Sequence, residues 1–153
     1  MQKLTLTLLL LFACLSISIG QDQSSSLDSL ENTVKNTPSD SSKVELLAKF
    51  CFDLCYSDVE NAIYFGKKAL KLSRKINYPL GELKTLMYLT SSEGILQGNF
   101  ELGLKYLEQA EKLAIQLDKK DWLLKVYNGF GVIYNYKGIT IKALEYYLLA
   151  LKL

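Results

Sequence analysis

Cys51-x-x-x-Cys55 is the pattern with the most chemical potential in this chain, because residues at i and i+4 share one face of a helix. A structural zinc site needs about four ligands. The chain has no histidine and three cysteines, the third being Cys14 far upstream, so the metal reading is poorly supported. A disulfide is permitted in an oxidising compartment, but two Cβ atoms projecting side by side from one helix are badly aimed for one. The expected state is two free thiols buried as small apolar side chains.

Other groups add little chemistry. Without histidine there is no imidazole base, ligand or phospho-acceptor. Asp118 and Asp121, or Glu108 and Glu111, fall in interhelix loops or on solvated helix faces, and Lys67-Lys68 and Lys119-Lys120 are isolated pairs. Trp122 stands near a helix start and reads as a packing residue at a hairpin join. No glycine loop is built to cradle phosphate. No catalytic residue, cofactor or metal is therefore expected. Eighteen Lys+Arg against 16 Asp+Glu give a net charge of +2, too small a cationic field to hold nucleic acid.

The N-terminus carries an address. Lys3 precedes an apolar stretch from Leu4 to Ile19, and Ser18 and Gly20 are small residues placed before a cut at Gln21. This reads as a signal peptide over residues 1–20, its apolar part too short for the roughly 20-residue span of a membrane helix. An uncleaved anchor and lipidation at Cys14 are the alternatives. Residues 21–37 form a polar lead-in with a short helix carrying Leu27, Leu30 and Val34, stopped before Pro38.

From residue 38 onward the apolar spacing is helical throughout and no segment alternates as a strand would, so the fold class is all-α. Ser42-x-x-Glu45 and Ser57-x-x-Glu60 read as capping boxes opening two helices. Pro79 opens a third, to about Gln97; a fourth runs from Phe100 to about Leu117, a fifth from Lys120 to Lys137, and Thr140 caps a sixth. The helices repeat. Gly98-Asn99-Phe100-x-x-Gly103-Leu104-x-Tyr106-Leu107-x-x-Ala110 matches Gly138-Ile139-Thr140-x-x-Ala143-Leu144-x-Tyr146-Tyr147-x-x-Ala150, with every matched pair separated by the same distance in sequence as Gly98 and Gly138. Ser57 to Ala69 is a weaker, earlier copy whose offset is one residue longer. Helical pairs at such a period cannot bury their own apolar faces and must stack on their neighbours.

Tyr127-x-x-Phe130-Gly131-x-x-Tyr134 followed by Gly138, Ala143, Tyr147 and Ala150 resembles a tetratricopeptide repeat of a long-hairpin kind. In the preceding copy Met87, Thr90, Ser91 and Gly94 stand at the corresponding places under the Gly98-to-Gly138 offset. The resemblance covers about residues 42–153 and implies a right-handed α-solenoid of about three helical hairpins over 38–153, the last truncated. It further implies a concave groove, lined by the first helix of each hairpin, that holds a protein or peptide partner. The groove residues expected on this basis are Thr85, Tyr88, Ser92 and Ile95 in the second hairpin and Lys125, Asn128, Val132, Asn135 and Tyr136 in the third.

Leu148 to Leu153 end in an apolar helix without a capping glycine or a polar terminal helix. The expectation is that the chain is the N-terminal part of a longer protein, attached to a membrane only through a segment beyond Leu153, with self-association through the uncapped end. An exported leader ahead of such hairpins resembles the periplasmic input region of bacterial signalling proteins, with a histidine kinase, helix-turn-helix regulator or cyclase as output. A free periplasmic or secreted adaptor is the alternative. On either reading the chain is an exported, non-catalytic interaction scaffold.

Overall fold

A computed structural model of the chain describes residues 27–153. The leader-like residues 1–20 and Cys14 lie outside the described residues. The chain divides into two units, Met1–Thr37 and Pro38–Leu153. In the first, residues 27–36 form helix α1, in which Thr33 Oγ1 donates to the Ser29 carbonyl one turn back.

The second unit is all-helical: α2 (Asp40–Leu54), α3 (Val59–Lys75), α4 (Pro79–Leu89) running directly into a π-helical segment (Thr90–Leu96), α5 (Phe100–Gln116), α6 (Lys120–Tyr136) and α7 (Thr140–Leu151). Three of the expected starts lie elsewhere. Ser39, not Ser42, caps α2, its hydroxyl accepting the Ser42 N–H at 3.2 Å. Asp58 rather than Ser57 caps α3, because its carboxylate takes both the Asn61 backbone N–H at 3.1 Å and the Asn61 side-chain amide at 2.7 Å. Thr140 is the first helical residue of α7 and gives no side-chain cap; Ile139 occupies the cap position. Pro79 at the start of α4 and Asn99 capping α5 are as the sequence indicates.

The helix ends are regular for a conformational reason. Asn77, Gly98, Asp118 and Gly138 all have φ between 51° and 72°, the left-handed conformation that ends a helix and that glycine, Asn and Asp tolerate best. Asp118 lies midway in sequence between Gly98 and Gly138, whereas the step from Asn77 to Gly98 is one residue longer than either half. That longer step contains α4 and the π segment, of 11 and 7 residues, where α3, α5 and α6 each have 17. A π turn is how a helix absorbs one inserted residue. The extra residue that lengthens the offset of the first repeat copy is therefore housed in the π segment.

Each element packs chiefly on its chain neighbours: α2 on α3, α3 on α4, α4 on α5, α5 on α6 and α6 on α7, with α2 also meeting α4 and the π segment meeting α3 and α5. The core follows this path through Phe65, Leu83, Leu86, Leu89, Leu107, Val126 and Ile133, all fully buried. The small repeat positions Ala62, Ala69, Ala110, Ala143 and Ala150 are all buried. They let neighbouring helices approach closely. Tyr146 on α7 is packed against Phe130 and Tyr134 of α6, with ring centroids 4.5 and 5.5 Å apart. Along α7, by contrast, Ile141, Leu144, Leu148 and Leu151 are exposed.

Candidate functional site

Among the described residues, six from three helices and the π segment line an open cleft of about 340 Å³: Phe52 of α2, Met87 and Tyr88 of α4, Ser91 of the π segment that continues α4, and Trp122 and Lys125 of α6. They converge because each helix turns one face toward the same space. Met87, Tyr88 and Ser91 are three and four residues apart or adjacent, so they share the outward side of α4, as Trp122 and Lys125 do on α6. The Phe52 and Tyr88 rings meet at 5.2 Å. The Lys125 ammonium lies 4.2 Å from the centroid of the Trp122 ring, a cation–π contact. Burial raises the Tyr88 hydroxyl above its ordinary pKa, and it stays neutral in this wall.

Ion pairs flank this apolar wall without entering it. Glu45 accepts from Lys84 Nζ at 2.8 and 3.0 Å and from the Tyr78 hydroxyl at 2.6 Å. Burial alone would raise the Glu45 carboxyl, but the bonds from Lys84 and Tyr78 hold it below the ordinary carboxylate range. On the other side of the π segment, Glu93 accepts from Lys67 at 2.7 Å and from the Tyr106 hydroxyl at 2.8 Å. Asp53 pairs with Lys49 one turn back.

Two residues expected at the groove line the cleft, Tyr88 and Lys125. Thr85 and Ser92 do not reach the surface, and here the expectation is corrected. Both are fully buried, and their hydroxyls donate to the carbonyls of Gly81 at 2.7 Å and Tyr88 at 3.1 Å. Asn128 and Asn135 are exposed and Val132 and Ile95 half-buried, none of them in the cleft wall. Tyr136 turns toward α5, where it stacks on Phe100 at 6.0 Å.

The error has one cause. The Gly98-to-Gly138 offset carries Lys125 onto Thr85 and Val132 onto Ser92, but the inserted residue lies between them and the turn at Gly98. Counted from the helix starts, Lys125 corresponds to Lys84, Asn128 to Met87 and Val132 to Ser91. The same shift replaces the match of Met87, Thr90, Ser91 and Gly94 to the repeat pattern by Leu86, Leu89, Thr90 and Glu93. Leu86 and Leu89 are fully buried as core positions should be. The Tyr106–Glu93 hydrogen bond then stands where Tyr146 stacks on Tyr134. Phe52, Met87, Ser91 and Trp122 were missed. The longer offset of the first copy was the signal that could have found the two on α4 and the π segment.

The thiols carry no site. Cys51 and Cys55 are free and buried. Burial pushes Cys51 up to about 11, only partly offset by the Ser92 hydroxyl 3.8 Å away, so it is a poor nucleophile at neutral pH. Among the described residues no three His, Cys, Asp or Glu side chains gather as metal ligands would, and no helix is long and apolar enough to cross a membrane. The chain matches no protein-family model, no curated protein and no solved structure.

Proposed function

We propose that Pro38–Leu153 is a non-catalytic protein interaction scaffold, a right-handed α-solenoid of tetratricopeptide-like hairpins whose concave side is formed by α2, α4 with its π continuation, and α6. The observation that carries this reading is the cleft, whose walls, among the described residues, come from those helices. Alternate helices of a stack of hairpins face one side, and a shallow trough along that side suits an extended or helical segment of a partner protein. An aromatic and Met-lined wall with few polar groups is the surface composition that binding sites favour.

The setting we propose is export through residues 1–20 and service as the input part of a bacterial membrane signalling protein, of histidine kinase or helix-turn-helix regulator type. A free periplasmic or secreted adaptor would use the same cleft. The exposed apolar face of α7 supports self-association as a second contact.

The test is a peptide display selection on the chain, followed by binding of the selected peptides to the Phe52→Ser and Trp122→Ala variants. Peptides that compete with one another and bind both variants at least about tenfold more weakly, roughly 1.4 kcal/mol, support the cleft. Undiminished binding to both variants refutes it.

A further inference from the structure

α7 departs from α3 and α5 at the places where those helices meet the next hairpin. Glu60, Glu101 and Ile141 each stand two residues after the N-cap of their helix, Asp58, Asn99 and Ile139 respectively, and Lys67, Glu108 and Leu148 each stand nine residues after it. They are two repeat positions seen three times. On α3 and α5 both positions are charged, and one on each helix ties it to the hairpin that follows: Lys67 pairs with Glu93 of the π segment at 2.7 Å, and Glu101 pairs with Lys137 at the end of α6. α7 has isoleucine and leucine there, and both are exposed. A further hairpin of the same kind would bring its polar partners to apolar residues, so this face suits a different occupant.

Its spacing says which. Ile141, Leu144, Leu148 and Leu151 alternate steps of three and four residues, the spacing of the seam between two paired helices, and all four are exposed. α7 is already held by its packing on α6, so the seam needs no ordering before it is used. One border of the seam is closed by α6, where the Tyr147 ring lies on Gly131. The other border is open and carries Glu145 and Lys152, which directly follow Leu144 and Leu151. Among the described residues neither has an ion-pair partner. Lys142, one turn before Glu145, rests on the Tyr134 ring, and Asp121, the single acid of α6, pairs with no lysine of α7.

The two charges fix the direction of pairing. Two such seams laid parallel set opposite borders side by side, Glu145 by Thr140 and Lys152 by Tyr147, and both charges go unmatched. Laid antiparallel about a two-fold axis, with Ile141 over Leu151 and Leu144 over Leu148, they bring like borders together, and Glu145 of each copy faces Lys152 of the other. Resting on the reading of α7 as a self-association face, we propose that the chain forms a two-fold dimer in which α7 packs antiparallel on α7 of a second copy, sealed by this seam and bordered by two Glu145–Lys152 ion pairs. The same patch serves both copies, so assembly stops at two. One short helix from each copy makes a contact smaller than the roughly 800 Å² a side of a standard interface, and a dissociation constant of about 10–100 μM follows.

Sedimentation equilibrium of the full chain over about 5–500 μM tests the pairing in the wild type, Leu148→Glu, Glu145→Lys, Lys152→Glu and the variant carrying both reversals. The wild type should fit a monomer–dimer equilibrium that Leu148→Glu weakens about tenfold or more. Each single reversal acts twice by symmetry and should weaken it about three- to tenfold in low salt, while the double reversal returns it to within about twofold of the wild type. A dimer that Leu148→Glu disrupts but the single reversals leave unchanged, or that the double reversal fails to restore, overturns the antiparallel pairing and leaves the self-association face standing. A monomeric wild type, or association that Leu148→Glu does not weaken, overturns both. The three substituted residues are exposed, so the variants keep the fold, and unchanged far-ultraviolet circular dichroism verifies this.

Discussion

Gly94 of the π segment and Gly103 of α5 meet backbone to backbone: a β-carbon on Gly94 would stand 2.7 Å from the Gly103 Cα. One on Gly103 would in turn stand 2.7 Å from Ile133 Cδ1 of α6 and 3.0 Å from the Gly94 Cα. Gly103 is therefore where the π segment, α5 and α6 are drawn together. Backbone cannot step aside as a flexible side chain can. Gly103→Ala should cost about 1–3 kcal/mol or more in chemical denaturation, as overpacking does. Gly138→Ala, with open space around it but a φ of 72°, should cost about 1–2 kcal/mol from backbone strain alone. A Gly103→Ala loss well under about 1 kcal/mol would refute the close approach.

The π segment is the structural expression of one inserted residue, so removing a residue there should restore an ordinary helix. Deletion of the exposed Leu96 should leave a cooperatively folded protein with little change in helical circular dichroism. Deletion of Asn128, also exposed but in the middle of the regular helix α6, should rotate Phe130 and Ile133 off their core face and cost much of the stability. If both deletions behave alike, the insertion is not housed where the turn spacing places it.

Alkaline pH should unfold the protein through buried groups that must ionise. The Cys51 thiol is raised to about 11 by burial, and the Tyr78 hydroxyl to about 12, chiefly by its hydrogen bond to Glu45. A raised value means that the fold favours the protonated form. The stabilisation is complete below the unfolded-state value and is lost as pH climbs toward the folded one. For Cys51 the loss is about 2–3 kcal/mol between pH 9 and 11. Urea midpoints should fall across that window in the wild type and fall less in Cys51→Ala. Parallel pH profiles would contradict the assignment.

The same burial predicts the reactivity of the thiols. Both should resist labelling in the folded protein at about pH 8 and react fully once it is denatured. Rapid labelling of native Cys14→Ser protein would show that Cys51 and Cys55 are not buried.

Exposed apolar residues on α7 occupy places that are charged elsewhere in the stack. Ile141 and Leu148 match Glu101 and Glu108 of α5 at the Gly98-to-Gly138 offset, and both are exposed. If α7 is a self-association face, sedimentation should show a concentration-dependent mass increase that Leu148→Glu removes. A wild type that stays monomeric at high concentration refutes that face.

The fold class was legible because helical signals repeat along the chain: apolar spacing, Pro79 at a helix start, and Gly98 and Gly138 at helix ends. The left-handed Asn77 and Asp118 carry the same punctuation less visibly, since Asn and Asp are also common in caps and solvated loops. Cap positions were harder. Ser39, Ser41 and Ser42 lie close together, and only the three-dimensional hydrogen bond from Ser42 N–H to Ser39 chooses among them. The cleft was half legible. Tyr88 and Lys125 could be placed by helical periodicity, but a single inserted residue shifts the face of a helix by about 100°, and that shift buried Thr85 and Ser92 while bringing out Met87 and Ser91. Trp122 reads as packing from the sequence and does pack against the core, while it also lines the cleft. Its role at the cleft depends on Phe52, which lies on α2 far upstream in the chain.

The most direct measurement is a map of backbone amide shifts in the isotope-labelled chain as a selected peptide is added. Docking in the cleft predicts perturbations centred on Phe52, Met87, Tyr88, Ser91, Trp122 and Lys125, on α2, α4 with its π continuation, and α6, with α3 and α5 quiet. Perturbations concentrated instead on the exposed faces of α3 and α5 would contradict it.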